Sequence, residues 1–165
     1  MLNLLNSIIK WDIILKNRLL VFHALLIIFT NVSFAQQSGF GLGVMLGEPT
    51  GISTKGWVSG SNAIDGGIAW SFTKKASFHI HADYLMHLYN LINVPKGKLP
   101  FYFGIGARVK FSDKTKVGIR IPLGLDYQFA GAPIDIFLEL VPILELVPKT
   151  EFSFNAALGA RFFFD

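Results

Sequence analysis

Residues 152–164 alternate with a period of two for thirteen residues, and no other pattern limits what the chain can fold into as tightly. Phe152, Phe154, Ala156, Leu158, Ala160, Phe162 and Phe164 fall on one face. Ser153, Asn155, Ala157, Gly159 and Arg161 fall on the other, with Phe163 the one large apolar residue among them. Successive strand side chains point to opposite faces, so the stretch reads as a strand with one greasy and one small or polar face. It is longer than the usual strand of about five or six residues. It can also cross a bilayer, which takes about 9–11 tilted residues.

The start of the chain has the form of an export signal. Lys10, Lys16 and Arg18 precede an apolar run from Leu19 to Phe29, and Ser33-Phe34-Ala35 places small residues at the two positions a signal peptidase reads. Residues 1–35 are predicted to be a secretory signal peptide cleaved after Ala35. The alternative, a retained anchor, is marginal, because Leu19–Ala35 includes His23, Thr30 and Asn31. The leader is long; beginning at Leu15 it would have a conventional shape, so residues 1–14 are read as lying before the true start. There is no Cys, hence neither a lipid-modified Cys after the leader nor a disulfide framework.

Residues 36–165 are then one domain of about 130 residues. Of the 15 basic residues three (Lys10, Lys16, Arg18) belong to the leader, and of the 11 acidic residues one (Asp12) does, leaving 12 against 10 and a net charge of +2. No basic run points to nucleic acid. The sequence is 52% hydrophobic. Even so, the mature part has no uninterrupted apolar run of the roughly 18 residues a membrane helix needs. A greasy chain without a greasy helix is what an alternating membrane barrel looks like.

Alternation recurs along the mature chain, punctuated by turn residues. Strands are predicted at Phe40–Leu46, Ile52–Val58, Ile64–Phe72, Phe78–His87, Phe101–Phe111, Val117–Phe129, Ile134–Leu140 and Phe152–Phe164. Glu48–Gly51, Ser59–Asn62, Thr73–Ala76, Ser112–Thr115 and Ala130–Pro133 are the turns. Leu88–Pro100 contains Val94-Pro95-Lys96-Gly97, and its flanks are read as extensions of the fourth and fifth strands. Pro142 and Pro148 bracket the last connection, with an outer turn near Glu145–Thr150. The prediction is an all-β fold, an eight-stranded antiparallel up-and-down transmembrane β-barrel.

Which face points inward decides the compartment. The less greasy face is poor in charge and rich in glycine: Gly39, Gly41, Gly43, Gly67, Gly104, Gly106, Gly118, Gly124 and Gly159. A water-facing exterior would carry far more Lys and Glu. The interior of an eight-stranded barrel is only wide enough for side chains to fill it, so small residues belong there. A soluble, lipocalin-like carrier would need the opposite facing. With the N-terminus in the periplasm, Phe40, Phe101, Tyr127, Phe129, Phe162 and Phe164 fall at one rim and Trp70, Phe72, Phe78, Phe111, Phe152 and Phe154 at the other. Two aromatic girdles flanking an aliphatic band are expected of a membrane barrel.

The inward face gathers the candidate site residues. By this register Lys55, Arg108, Lys110, Arg120 and Arg161 point into the lumen, as do Asp65, Asp83, Asp126, Asp135 and Glu139. An unpaired buried charge is costly, so a narrow lumen must pair them. The network reads as a plug that holds the barrel closed; the alternatives are a narrow solute path or a ligand site. A turn centred on Pro95-Lys96 puts Asp83 across from Arg108, and one residue later across from Lys110. A turn centred on Pro148 puts Asp135 across from Arg161. His79, His81 and His87 share the inward face and read as polar lumen residues; a His-x-His pair is too short a motif to predict a metal, and no cofactor is expected. His79 or His81 as base and Ser71, Ser77 or Ser153 as nucleophile are the enzymatic alternative, but no spacing selects them, and no enzyme is predicted.

The closing strand, ending in Phe162-Phe163-Phe164 before Asp165, resembles the aromatic-ended last strand of bacterial outer-membrane barrels. Gly47-Glu48-Pro49-Thr50-Gly51-Ile52-Ser53, Ala63-Ile64-Asp65, His81-Ala82-Asp83-Tyr84, Gly97-Lys98-Leu99-Pro100 and Pro133-Ile134-Asp135-Ile136-Phe137-Leu138-Glu139 are similar to an uncharacterised family of small outer-membrane barrels of Gram-negative bacteria. The architecture also resembles the eight-stranded transmembrane domain of the porin A class. The resemblance implies a place in the cell outer membrane and supplies no activity. The expected role is structural, in membrane integrity, with surface adhesion as the rival; the short outer turns argue against the rival, because loops carry recognition. The implied partners are membrane lipid and lipopolysaccharide and, transiently, the outer-membrane barrel assembly machinery, with the protein itself a monomer.

Overall fold

The computed structural model describes residues 39–71 and 77–164. The predicted leader (1–35), Phe72 and the predicted turn Thr73–Ala76 lie outside the described residues. Nine strand segments, all antiparallel to their neighbours, make one closed sheet: β1 (Phe40–Glu48), β2 (Thr50–Trp57), β3 (Asn62–Ser71), β4 (Ser77–Leu88), β5 (Phe101–Phe111), β6 (Lys116–Arg120), β7 (Leu123–Gln128), β8 (Ile134–Val147) and β9 (Glu151–Phe164). Each pairs with the next in sequence, except that β6 and β7 are two halves of one stave, both lying between β5 and β8. The ring closes where β1 pairs with β9, from Phe40 opposite Phe164 to Glu48 opposite Ala156. The result is an eight-stave up-and-down barrel. Among the described residues closure leaves no open sheet edge, and the ladders pair around the ring apart from an interruption in the sixth stave.

The sixth stave differs from the continuous strand predicted at Val117–Phe129, because it breaks at Ile121-Pro122. Proline has no N–H to give a ladder and is confined to edges and irregularities. A second proline lies beside the break. Pro142 sits inside β8, and its carbonyl accepts from Ile121 N at 3.0 Å. A strand residue's N–H and C=O point to the same neighbour. The donor Pro142 lacks would therefore face the break, where the ladder is already interrupted. Pro142 thus does not end the seventh stave as predicted: β8 continues to Val147, the outer turn shrinks to residues 148–150, and Glu145 becomes a strand residue.

Residues 89–100 also depart from expectation. They do not extend β4 and β5 but fold as a loop against the end of β7. Lys98 and Gln128 exchange backbone hydrogen bonds at 2.9 and 2.8 Å, and Asp126 N donates to Pro100 O at 3.1 Å. The Tyr127 hydroxyl donates to Lys96 O at 3.1 Å. Gly97 makes the reversal with φ of 72°, where a side chain would be strained, and a Cβ there would lie 2.4 Å from Gln128 O.

Burial alternates along every stave with the phase the sequence predicts. Outward residues are large, apolar and exposed, including Leu46 at 62%, Ile105 at 61% and Leu140 at 59%. That surface is far more extensive than the patch of a few hundred Å² a soluble monomer tolerates. Aromatic residues gather at both ends of the staves. The lower rim, where β1 starts and β9 ends, carries Phe40, Phe162 and Phe164. At the upper rim Phe78 stacks on Phe111 and meets Trp70 at a tilt, with centroids 6.0 and 5.7 Å apart. Inside, Met45, Ala69, Leu85, Tyr102, Phe137 and Ala157 form a small apolar cluster across the lumen.

Candidate functional site: the charged lumen

Among the described residues, four buried cations point into the barrel, and each meets a carboxylate carried by a stave other than its own. Lys55 of β2 reaches Asp126 at 2.5 Å and lies 3.7 Å from Asp135. Its ammonium also sits 4.4 Å from the centre of the Trp57 ring. Arg161 of β9 donates through Nε to Asp135 at 3.0 Å and through a terminal nitrogen to Asp65 at 2.5 Å, while its guanidinium stacks 4.1 Å above Phe137. Arg120 of β6 binds both oxygens of Asp83 at 3.0 Å and Glu139 at 3.3 Å. Arg108 of β5 pairs with Glu145 and donates to Asn155 at 3.3 Å and Ser153 at 3.1 Å. Hydrogen bonds to charged partners are about twice as strong as neutral ones, and bidentate arginine adds directional constraint.

Neighbouring polar residues tie these pairs together. The Tyr102 hydroxyl donates to Glu139 at 3.0 Å, and Gln128 donates to Asp126 at 3.2 Å. Ser153 Oγ donates to Glu145 at 3.0 Å. Ser153 thus sits between Glu145 and Arg108, with its hydroxyl engaged by both. His87 bonds the Ser61 carbonyl through Nδ1 at 3.1 Å and stands 3.7 Å from Asp126. His81 stands 3.8 Å from Asp65, and the His79 ring lies 5.5 Å from that of His81.

The register decides which of the predicted pairs form. Asp135 lies across from Arg161, as the turn centred on Pro148 requires. Asp83 lies across from neither Arg108 nor Lys110 but from Gly106. Arg108 faces His81 and Lys110 faces His79 instead. Asp83 opposite Gly106 and Leu88 opposite Phe101 both centre the connection between Val94 and Pro95, one residue before the centre assumed at Pro95-Lys96, so the turn signal Val94-Pro95-Lys96-Gly97 does not mark the middle of the loop 89–100. Asp83 is nevertheless served, because Gly106 has Arg120 on its far side. Lys110 is half-buried near the upper rim and joins none of these pairs.

Sequence reasoning missed Glu145, Tyr102, Gln128 and Asn155 as parts of the network. Glu145 could have been found by continuing the alternation of Asp135, Phe137 and Glu139 through Val141 and Ile143. Its apolar inward residues and Pro142 hid that signal. The polar neighbours carry no motif; only the inward phase marks them.

No protein-family model and no curated protein matches the chain. Two solved structures are similar in fold. One is the N-terminal β-barrel domain of Pseudomonas aeruginosa OprF, at a TM-score of 0.54 and 14% identity, covering 76% of this chain and 95% of that one. The other is Neisserial surface protein A, NspA, at a TM-score of 0.50 and 13% identity, covering 76% and 93%. The fold resembles that of small outer-membrane β-barrels.

Proposed function

We propose that the chain is a small integral protein of the bacterial outer membrane whose role is structural, a closed barrel that contributes to the integrity of the membrane it spans. The observation that carries this reading is the opposition of the two faces. The outward face is apolar and exposed along every stave, whereas the inward face is filled by interlocked ion pairs and the Met45–Leu85–Tyr102–Phe137 cluster. In hydrocarbon only a structure that satisfies its own backbone hydrogen bonds can span, and a closed barrel does so. A filled lumen has no continuous water path. The likeness in fold to OprF and NspA supports the compartment.

On this reading the aromatic rims sit at the two interfaces, with the loop 89–100 at the periplasmic end and the short turns 48–50, 112–115 and 148–150 outside. Lipid and lipopolysaccharide cover the outer surface, the barrel assembly machinery inserts the chain once residues 1–35 have been removed, and the barrel works as a monomer without enzymatic activity. Short outer turns leave little surface for adhesion. The test is conductance together with folding. The refolded barrel should change its gel mobility on boiling in detergent, and in a planar bilayer it should pass little or no steady current. A large stable conductance would replace the structural role with a channel, and a protein that stays folded in buffer without detergent would remove the membrane reading.

A further inference from the structure

The inner wall of β3 and β4 sets two carboxylates directly opposite each other: Asp65 and Asp83 are register partners, and both are buried. Like charges at opposed strand positions repel, and in a buried setting each has to be compensated. Arginine compensates each from one side only. Arg161 holds Asp65 through Oδ2 at 2.5 Å, and Arg120 holds Asp83 from the β6 side. The other oxygen of Asp65 faces Nε2 of His81 at 3.8 Å, beyond hydrogen-bond length. His81 is 6% exposed, and its Nδ1 has no hydrogen-bond partner in the protein. Arg108, its register partner, turns its guanidinium to Glu145 instead.

One ligand atom from each of Asp65, His81 and Asp83 lies within 4.8 Å of the other two. Nitrogen and oxygen ligands sit at about 2.0–2.2 Å from a zinc-like ion, so two ligands of one ion stand roughly 3–4 Å apart. The 3.8 Å between His81 and Asp65 is too wide for a hydrogen bond and falls in the range a shared ion requires. Gly67, opposite His81, leaves room for the ring, since a Cβ there would lie 2.4 Å from it.

The charge balance of the lumen points the same way independently. Among the described residues the buried cations are Lys55, Arg108, Arg120 and Arg161. The buried carboxylates are Asp65, Asp83, Asp126, Asp135, Glu139 and Glu145. Four buried positive charges face six buried negative ones, and with half-buried Lys110 at the rim five face six, so the lumen keeps an excess of negative charge that a bound cation would offset. We propose that Asp65, His81 and Asp83 form a site inside the barrel for a divalent transition-metal cation of the zinc class. One imidazole beside two carboxylates favours such an ion over calcium or magnesium, which take oxygen ligands. His79 lies outside the group of ligand atoms that cluster, and its register partner on β5 is Lys110.

The test uses the full mature chain refolded in detergent micelles, stripped with chelator and titrated calorimetrically with Zn2+, beside His81→Ala and His79→Ala. The wild type and His79→Ala should each bind one Zn2+ per chain. His81→Ala should bind at least tenfold more weakly and lose the rise in unfolding temperature that zinc gives the wild type. His81→Ala leaves all four buried cation–carboxylate pairs in place, and its heat-modifiable gel shift reports that it is folded. Folded wild-type protein without saturable zinc binding, or equal binding by wild type and His81→Ala, would overturn the site and assign the compensating charge to protons on the lumen carboxylates. Zinc binding and conductance are separate readouts, so failure of the structural reading leaves this result interpretable.

Discussion

Asp83 and Arg120 bind each other across a strand that lies between them, and Gly106 is what lets them meet. Asp83 on β4 is the register partner of Gly106 on β5, and Gly106 is the register partner of Arg120 on β6. A Cβ on Gly106 would fall 1.9 Å from Asp83 Oδ1 and 2.3 Å from the Ala82 carbonyl. A glycine-rich inner face therefore does more than save volume. It lets long arginines lie flat over a neighbouring stave and reach the next one.

Gly106→Ala should accordingly be among the most damaging single-methyl changes in the barrel. The added carbon meets both a carboxylate and a backbone carbonyl, and overpacking of a filled interior costs about 1–3 kcal/mol before any loss of the ion pair. Urea unfolding of the barrel in lipid vesicles measures it. A midpoint equal to wild type would show that Arg120 does not cross the inner wall at this position.

The ion pairs differ in redundancy, and their variants should rank accordingly. Glu145 is the carboxylate paired with Arg108, so Glu145→Ala strands a buried guanidinium, a loss of about 3–5 kcal/mol. Asp135→Ala should cost less, because Arg161 keeps Asp65 and Lys55 keeps Asp126. Lys114→Ala, in the exposed turn 112–115, should leave the midpoint within about 0.5 kcal/mol of wild type. Equal midpoints for all three would mean the inward charges are not paired.

Facing can be tested from outside. Ile105 and Leu138 project outward from the middle of their staves at 61% and 52% exposure. In a bilayer, Arg on the lipid face of a barrel costs about 2–4 kcal/mol at the midplane. Ile105→Arg and Leu138→Arg should each destabilise the barrel by that amount in vesicles. If both variants match wild type in vesicles, the outward face does not meet hydrocarbon.

Much of this organisation could be read from residue order, for a physical reason. Side-chain direction in a strand has a period of two and needs no tertiary information, so Lys55, Asp65, Arg120, Asp126 and Arg161 could be assigned to the interior from phase alone. Register needs the geometry of each connection. The connection around Pro148 is a tight turn, and its centre correctly sets Asp135 against Arg161. The connection around Pro95 is a longer folded loop whose turn signal lies one residue past its middle, and centring the register on that signal misplaces the partner of Asp83. Prolines misled in both directions. Pro142 suggested an end to a strand that continues, and Pro122 lay unnoticed inside an alternation that breaks. Both outcomes follow from the two prolines lying side by side in the sheet, a relation that exists only once the staves are paired.

The loop 89–100 is held to the lower rim by a small set of contacts, none of them one of the four buried cation–carboxylate pairs. It depends on the Lys98–Gln128 backbone pair, the Tyr127–Lys96 bond and the reversal at Gly97. In Gly97→Ala the new Cβ would meet Gln128 O at 2.4 Å, and the residue would have to keep a φ of 72°. Detaching the loop relieves both. The loop borders the network, since the Gln128 amide donates both to Asp126 and to the Tyr89 hydroxyl at 3.2 Å, but no loop residue makes one of the four buried cation–carboxylate pairs, so the loop should open as a local unit while the barrel stays folded. Limited proteolysis of the refolded protein should cut Gly97→Ala within residues 89–100 at least several-fold faster than wild type, with both fragments still co-migrating unboiled on a gel. The urea midpoint of the uncut variant should move by less than about 1 kcal/mol, since the strain falls on the loop's backbone pair with Gln128 and leaves the buried cation–carboxylate pairs in place. A cleavage rate equal to wild type would show that Gly97 does not hold the reversal. A large fall in midpoint without loop cleavage would make the loop part of the cooperative core rather than a strap laid across it.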